Sequence, residues 1–424
     1  MAANVTESFE AAAVVNAAPV ASVPFYRPDL GEDEIDEVVA TLRGGWLTTG
    51  PRARRFEEVF RDAVGARHAV AVNSCTAALH LALEALGLGA DRSVLVPTLT
   101  FAATAEVVRY PGAYPLLVDC EEHTLNLDVS HAEAQCATWL GGRDRAGRVV
   151  PERVAGVIPV HVGGSMLDLD PVAALAERHG AWVVEDAAHA FPAAWRRGPR
   201  ARWQRCGEGT AAVTCFSFYA NKTITTGEGG MAVTDDERLA ERMRLMSLHG
   251  LTLDAVNRYA TSGRPDYEIT APGFKYNLTD VAAALGIHQV ARAEAMRARR
   301  AAIAARYLDA WADLDEVELP PVLADRLPSW HLFPVRLRLD LLDVARDEVI
   351  AELKAHGVGC SVHWKPLHLH AYYRETYGCR PEDFPVASAV WRRLVSVPIF
   401  SAMSDEEVEH VVETVARVCR RHAR

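Results

Sequence analysis

Polar and apolar positions along this chain fall into two alternating periods. Ile35, Val38, Val39 and Leu42 recur at helical spacing behind an acidic start at Leu30-Gly31-Glu32-Asp33-Glu34. The stretch Gly44-Gly45-Trp46-Leu47-Thr48-Thr49-Gly50-Pro51 ends that helix. Short continuous apolar runs then take over, and these predict strands buried on both faces: Ala69 to Val72, Val94 to Val96, Pro115 to Asp119, Val154 to Val160, Ala181 to Glu185, Ala212 to Phe218 and Gly230 to Val233. Helices are expected from Thr76 and near Ala102. Strands separated by helices predict an α/β fold with a mainly parallel central sheet flanked by helices. An Ala-rich helix from Asp280 past Ala291 to Arg300 leads into a smaller C-terminal α+β part. That part is expected to hold a strand at His331 to Leu339 and helices at Arg346 to His356 and Asp405 to Cys419. The expected division is a flexible tail over 1–23, a large domain over 24–290 and a small domain over 291–424.

Composition narrows the class. A chain of 424 residues, half of them hydrophobic and 24% charged, has ample core for two domains. With 45 Lys+Arg against 56 Asp+Glu, the net charge of −11 argues against a general nucleic-acid binder. The eight cysteines have no paired C-x-x-C spacing, so reduced thiols in a cytoplasmic protein are expected and no metal site is assigned. The first 22 residues carry Glu7 and Glu10, lack a basic start and are broken by Asn16 and Pro19, which suits neither a signal peptide nor a membrane span.

The chemistry concentrates where strands end. Trp182-Val183-Val184-Glu185-Asp186 is a buried strand finishing in a carboxylate, followed by Ala187-Ala188-His189. The run from Phe216 to Gly230 places Lys222 between an apolar strand and a glycine turn. An acid at one strand end and an amine after the next are what pyridoxal 5′-phosphate (PLP) requires, as a partner for its ring nitrogen and an imine-forming lysine for its aldehyde. In mainly parallel sheets ligands collect beyond the carboxyl ends of the strands, where both residues fall. A unit charge pair at about 3 Å and an effective dielectric of about 20 is worth roughly 5 kcal/mol before desolvation, enough to keep a ring nitrogen protonated. Asn73-Ser74-Cys75-Thr76-Ala77-Ala78-Leu79 opens a helix, where free amides and hydroxyls suit a phosphate, although such residues also cap helices generally. Ser217 offers another hydroxyl. His189 reaches the same face as Asp186 if a helical turn follows, and is otherwise a packed polar residue. Phe101 is placed to cover one face of the ring or to join the core.

These residues, together with Gly45 to Pro51, Pro159-Val160-His161, Gly273-Phe274-Lys275-Tyr276-Asn277-Leu278-Thr279-Asp280 and Trp330-His331-Leu332-Phe333, give a chain that resembles the DegT/DnrJ-type sugar aminotransferases from about Pro24 to the C-terminus. The Lys275 to Asp280 run is most similar to the branch that makes UDP-4-amino-4-deoxy-L-arabinose. The resemblance implies a fold-type-I PLP transferase and a homodimer with shared active sites, in which Asn277 of one subunit reaches the cofactor phosphate of the other. It further implies Lys222 as the Schiff-base lysine, Asp186 as the ring-nitrogen partner, His189 beside them, and Phe101 as the stacking ring. Ser74, Cys75, Thr76, Ala77, Thr104 and Ser217 then belong to the cofactor site, and Trp46, Thr48 and His331 to the substrate. Cys75, Gly163 and Phe191-Pro192 depart from the family pattern. Arg196 to Arg205 looks like an insertion, either a solvated hairpin or a basic loop meeting a diphosphate.

The expected reaction is transfer of an amino group from an amino acid, L-glutamate, to the ketone of a nucleotide-linked keto-deoxy-sugar, with PLP alternating with pyridoxamine phosphate. Transamination of a keto-cyclitol, or a non-catalytic regulator that binds PLP or a sugar nucleotide, are the alternatives. The expected setting is cytoplasmic, with no nucleic-acid or membrane partner.

Overall fold

The computed structural model describes residues 22–251 and 268–424. Most of the expected tail, residues 1–21, therefore lies outside the described residues. Val23, at its end, is buried and bridges Val358.

Seven strands form the main sheet: β1 (His68–Val72), β2 (Arg92–Pro97), β3 (Tyr114–Val118), β4 (Arg153–Val157), β5 (Trp182–Asp186), β8 (Val213–Ser217) and β9 (Gly230–Thr234), with the two-residue strands β6 (Ala194–Trp195) and β7 (Gln204–Arg205) set apart from it. Its order is β1-β9-β8-β5-β4-β2-β3. All neighbours are parallel except where β9 meets β1 and β8. β9 alone is reversed, so its first residue, Gly230, lies at the same edge as the last residues of β5 and β8. Ser217 pairs with Gly230 across that edge.

Every residue of β3 and β9 is buried, as both-face coverage by helices demands. One side of the core is aromatic. Phe56 and Phe60 stand one turn apart on the helix Pro51–Val64, and Phe60 meets Phe191, Phe216 and Phe218 at ring-centroid distances of 4.6, 5.0 and 5.2 Å. Gly286 on the helix Asp280–Ala310 lets that helix close on Phe56, because a Cβ there would lie 2.5 Å from the ring.

The helix Asp280–Ala310 runs ten residues beyond its expected end at Arg300, since no Gly or Pro interrupts its second half. Its first half buries Ala283, Ala293 and Met296 against the main core. The second half buries Ile303, Ala304 and Tyr307 against a second core with Trp311 and Phe333. The boundary expected at 290/291 falls inside this helix. Around the second core lies an antiparallel sheet of β10 (Val317–Glu318), β12 (Phe333–Leu337) and β13 (Leu394–Val397), packed with the helices Arg346–Ala355 and Asp405–Arg421.

A third small sheet joins β6 and β7 to β11 (Arg326–Leu327). The stretch Arg196 to Arg205 is the turn and return of this β6–β7 hairpin. Arg197, Arg202 and Arg205 pair with Asp170, Glu208 and Glu294, and Arg196 donates to the carbonyls of Pro199 and Ala324.

Phe60→Ala is expected to lower unfolding stability by about 3–5 kcal/mol, since it removes a buried ring from four aromatic neighbours. Chemical denaturation followed by tryptophan fluorescence measures this.

Candidate active site

Asp186 ends β5 and is buried. Its N–H donates to the Pro159 carbonyl at 2.9 Å. One carboxylate oxygen accepts from the Thr104 hydroxyl at 2.8 Å and the other from the Ala188 N–H at 3.1 Å. Burial pushes this carboxyl above its ordinary range, while the Thr104 hydroxyl, the Ala188 amide and the Lys222 charge pull it back down.

Lys222 lies five residues past the end of β8 and closes a turn through its N–H to the Tyr219 carbonyl at 2.9 Å. It is half-buried in a loop at the sheet edge, on the same side as Asp186. Desolvation lowers the amine to about 8, against the opposing influence of Cys75 and Asp186. The amine and the acid thus lie within electrostatic reach of one another.

A cradle lies beside them. The helix Cys75–Ala85 starts directly after β1, and the Ser74 hydroxyl accepts the Ala77 N–H at 3.1 Å. Ser74 therefore does cap the helix. The amides of Cys75 and Thr76 are first-turn groups with no acceptor inside the helix. Gly230 passes so close that a Cβ on it would lie 2.4 Å from the Ser74 carbonyl and 2.6 Å from the Cys75 nitrogen. Burial, with the charges of Asp186 and Cys215, raises the Cys75 thiol well above its usual value. Ser217 ends β8, and its hydroxyl accepts the Tyr219 N–H at 3.4 Å. Phe101 stands 62% exposed beside this edge, outside the core.

No helix follows Asp186. Residues 187–190 form a single turn closed by the Ala190 N–H on the Ala187 carbonyl, because the chain must cross directly into the segment leading to β6. His189 is nevertheless brought in. Its ring lies 4.2 Å from His331 and stacks on Trp364 at 5.0 Å, and neither His189 Nδ1 nor His331 Nδ1 has a partner among the described residues. His363 joins them, with Nδ1 at 2.9 Å from the Ser396 hydroxyl. Burial, reinforced by the Lys222 charge, keeps all three imidazoles neutral: His189 and His331 fall well below the ordinary value and His363 to about 4. Sequence reasoning passed over His363 and Trp364. They stand far down the chain without a strand or glycine signal, and only the return of the C-terminal part brings them here.

Other expected residues serve a clamp. The Asp280 carboxylate, fully buried, accepts the amides of Gly50 at 2.7 Å, Ala53 at 2.9 Å and Arg52 at 3.1 Å, and so caps the helix Pro51–Val64. The Trp46 indole donates to the Thr49 carbonyl at 3.1 Å, and the Thr48 carbonyl accepts the Asp280 N–H at 3.2 Å. The Asn277 amide donates to the Thr49 hydroxyl at 2.6 Å, and Asn277 bridges Val72 at the end of β1. Among the described residues, no hydrogen bond or ring contact ties Trp46 or Thr48 to Asp186, His189 or Lys222.

Behind Asp186, His161, Glu185 and Cys206 are buried together. His161 Nε2 lies 2.9 Å from a Glu185 oxygen while its Nδ1 accepts the Leu167 N–H at 3.4 Å. The ring proton therefore sits on Nε2, toward Glu185, which is a hydrogen bond rather than a ligand set.

Residues 28–416 match the DegT/DnrJ/EryC1/StrS aminotransferase family. The chain belongs to that family. It is 41% identical over 399 residues, 94% of this chain and 97% of the relative, to the spore coat polysaccharide biosynthesis protein SpsC of Bacillus subtilis. Among solved structures it is similar to the putative sugar aminotransferase Spr1654 of Streptococcus pneumoniae, known in PLP and PMP forms, with 30% identity, TM-score 0.82 and coverage of 94% of this chain and 98% of the PMP-form chain. The aminotransferase TlmJ of Streptoalloteichus hindustanus gives 29% identity and TM-score 0.81, covering 94% and 99% of the two chains. Enzyme class and fold thus agree with the sequence reading: the chain is a sugar-type aminotransferase, and PLP dependence goes with the family.

The residues of this DegT/DnrJ/EryC1/StrS aminotransferase fit that cofactor. Gly230 without a side chain, open amides at Cys75 and Thr76, a buried carboxylate and a desolvated amine are the features a phosphorylated cationic aldehyde needs. Gly230→Ala is expected to push the Ser74–Cys75 backbone aside. It should weaken cofactor binding about tenfold or more while circular dichroism stays unchanged, as titration of the apoprotein with PLP would measure.

Proposed function

We propose that this aminotransferase moves the amino group of L-glutamate onto the ketone of a nucleotide-linked keto-deoxy-sugar. The observation that carries the reading is that the Asp186 carboxyl, at the end of β5, and the Lys222 amine, just past the end of β8, lie at one sheet edge within electrostatic reach of each other. Bound there, PLP supplies an electron sink for the carbanion left when the amino donor loses its α-proton, and it accepts and returns the amino group as pyridoxamine phosphate.

The chain supplies the rest. Asp186, held by Thr104 and Ala188, gives a carboxylate to the positive ring nitrogen. Lys222 holds the cofactor aldehyde in the resting enzyme. Displaced by the donor, its amine exchanges a proton with the substrate α-carbon, a task for which a value of about 8 suits it better than the ordinary lysine value of about 10.4. The open amides of Cys75 and Thr76, with the hydroxyls of Ser74 and Ser217, receive the phosphate, while the Ala77 amide, expected to join them, is taken by the Ser74 hydroxyl. Phe101 covers one ring face, and neutral His189 lies toward the phenolic oxygen. Trp46, Thr48 and His331 bound the substrate side.

A homodimer belongs to the proposal. Ile35 and Leu42, one helical face of Glu32–Gly44, stand 47% and 53% exposed, with Leu30 and Leu47 beside them, an apolar surface that suits a second copy whose Asn277 reaches the phosphate. A cytoplasmic setting accords with eight free cysteines, and among the described residues no helix is long and apolar enough to cross a membrane. The similarity of Lys275 to Asp280 to the UDP-4-amino-4-deoxy-L-arabinose branch motivates the nucleotide-linked acceptor. Since Asn277 and Asp280 tie down the Trp46 to Ala53 segment, the run speaks first to the build of the subunit and only then to the sugar.

Three measurements test the reading. Enzyme converted to the pyridoxamine form should regain the visible absorbance of its cofactor with nucleotide-linked keto-sugars; recovery with keto-cyclitols alone would move the acceptor to that class, and no response to any amino donor would end the enzyme reading. Lys222→Ala should lower turnover by about 10²–10⁴-fold. The third concerns pH. A lysine lowered to about 8 is protonated and unreactive below that value, so the rate of PLP uptake by apoenzyme should rise with pH and level off above about 8. A rise continuing past pH ~10, as for an ordinary lysine, would contradict the assignment.

A further inference from the structure

Arg300, on the helix Asp280–Ala310, is 3% exposed, and no carboxylate of the described residues forms an ion pair with it. Asp29, whose charge reaches it, is held by Arg292 at 2.5 Å. Burial lowers the Arg300 guanidinium to about 10. A buried cation without a paired acid is costly, so its hydrogen bonds must matter. Its Nη1 donates to two carbonyls, Trp330 at 3.2 Å and Ile399 at 2.6 Å.

Trp330 is where the backbone is unusual. Its φ of 52° lies in the left-handed region, which a bulky residue seldom adopts and which persists only when the surroundings enforce it. The enforcement is visible on both sides. The Ser329 N–H donates to the Gly164 carbonyl at 3.0 Å and the Leu332 N–H to the Gly163 carbonyl at 3.2 Å. The Ser329 hydroxyl donates to the His189 carbonyl. Between these anchors the reversed residue turns the chain so that His331 meets the His189 ring at 4.2 Å, with its own Nδ1 unpartnered. If Trp330 relaxed to negative φ, the next residue would rotate away from that contact.

We propose that Arg300 is a positioning residue for the acceptor half of the reaction: by gripping the Trp330 carbonyl it holds the left-handed turn that aims His331 into the site. The proposal rests on the reading of His331 as a substrate contact. The Arg300 charge also adds to burial, His189 and Lys222 in keeping His331 neutral. A neutral imidazole with a free ring nitrogen suits a sugar hydroxyl or carbonyl oxygen, to which it offers one hydrogen bond without competing as a second cation.

The test uses holoenzyme of Arg300→Gln and Arg300→Lys, each alone and combined with His331→Ala, and times the two half reactions separately by the cofactor's visible absorbance. Glutamate drives the first, and the keto-sugar that the wild type accepts drives the second. Arg300→Gln should slow the acceptor half about 10–100-fold and leave the donor half nearly unchanged, with partial rescue in Arg300→Lys, which keeps the charge. In the His331→Ala background the same change should add little, because both substitutions remove one function. Equal losses in both half reactions, equal losses in both backgrounds, or no loss would overturn the proposal. Should the Arg300 variants not yield soluble enzyme, Trp330→Pro fixes φ near −65° while leaving the Arg300 and His331 side chains unsubstituted. It should lose the acceptor half selectively, and intact acceptor turnover would refute the role. Wild-type enzyme that aminates no keto-sugar would instead overturn the functional reading on which this inference rests.

Discussion

Two opposite charges sharing a water-poor sheet edge are the constraint on which the rest of this molecule depends. Burial drives the Asp186 carboxyl toward its neutral acid and the Lys222 amine toward its neutral base, while their mutual attraction works the other way. The balance lowers the lysine to about 8 and leaves the acid dependent on its fixed donors, Thr104 and Ala188. A cationic ring beside them would compensate the carboxylate and push the lysine further toward its neutral, nucleophilic form. The parallel strands deliver these groups together, and reversal of β9 adds Gly230 to the same edge, where its missing side chain leaves room for the Ser74–Cys75 turn.

Around this edge the chain uses buried polar groups as fasteners. Asp280 collects three amides of the Gly50 to Ala53 segment, and thereby fixes the helix that carries Phe56 and Phe60. Arg300 fastens the far half of the same long helix to Trp330 and Ile399. The helix Asp280–Ala310 is thus a beam shared by both cores, anchored at its start by Asp280 and in its second half by Arg300, each a charge whose partners are backbone groups. Backbone dipoles are fixed by the fold, so such contacts hold geometry without competing for mobile side chains.

Much of the architecture was legible because burial writes itself into sequence. Strands covered on both faces read as unbroken apolar runs, and each of the seven expected runs overlaps an observed strand of the main sheet. Asp186 and Lys222 were legible for a related reason: Asp186 closes an apolar run and so sits at a strand end, and Lys222 follows the next strand before a glycine turn, in a loop five residues past β8 rather than at its tip. The helical turn on which the reach of His189 was made conditional is instead a single tight turn. The tight path from β5 to β6 imposed it, a tertiary demand that local spacing does not encode. Arg196 to Arg205 read as a charge run open to two interpretations, and its carboxylate partners at Asp170, Glu208 and Glu294 appear only once the hairpin is placed.

The amino-acid sequence by itself determined the layer fold, the acid and the amine, the cradle at Ser74 to Ala77 and the resemblance to sugar aminotransferases, because periodicity and short motifs are local and survive without coordinates. Tertiary structure alone decided that His189 meets His331 and Trp364, that Asp280 is a cap for a helix more than two hundred residues earlier, and that the carbonyl of Trp330, a residue with left-handed φ, accepts from a buried arginine. These contacts join segments distant along the chain. Their energies depend on surfaces brought together by the whole fold, and no pattern within one segment records them.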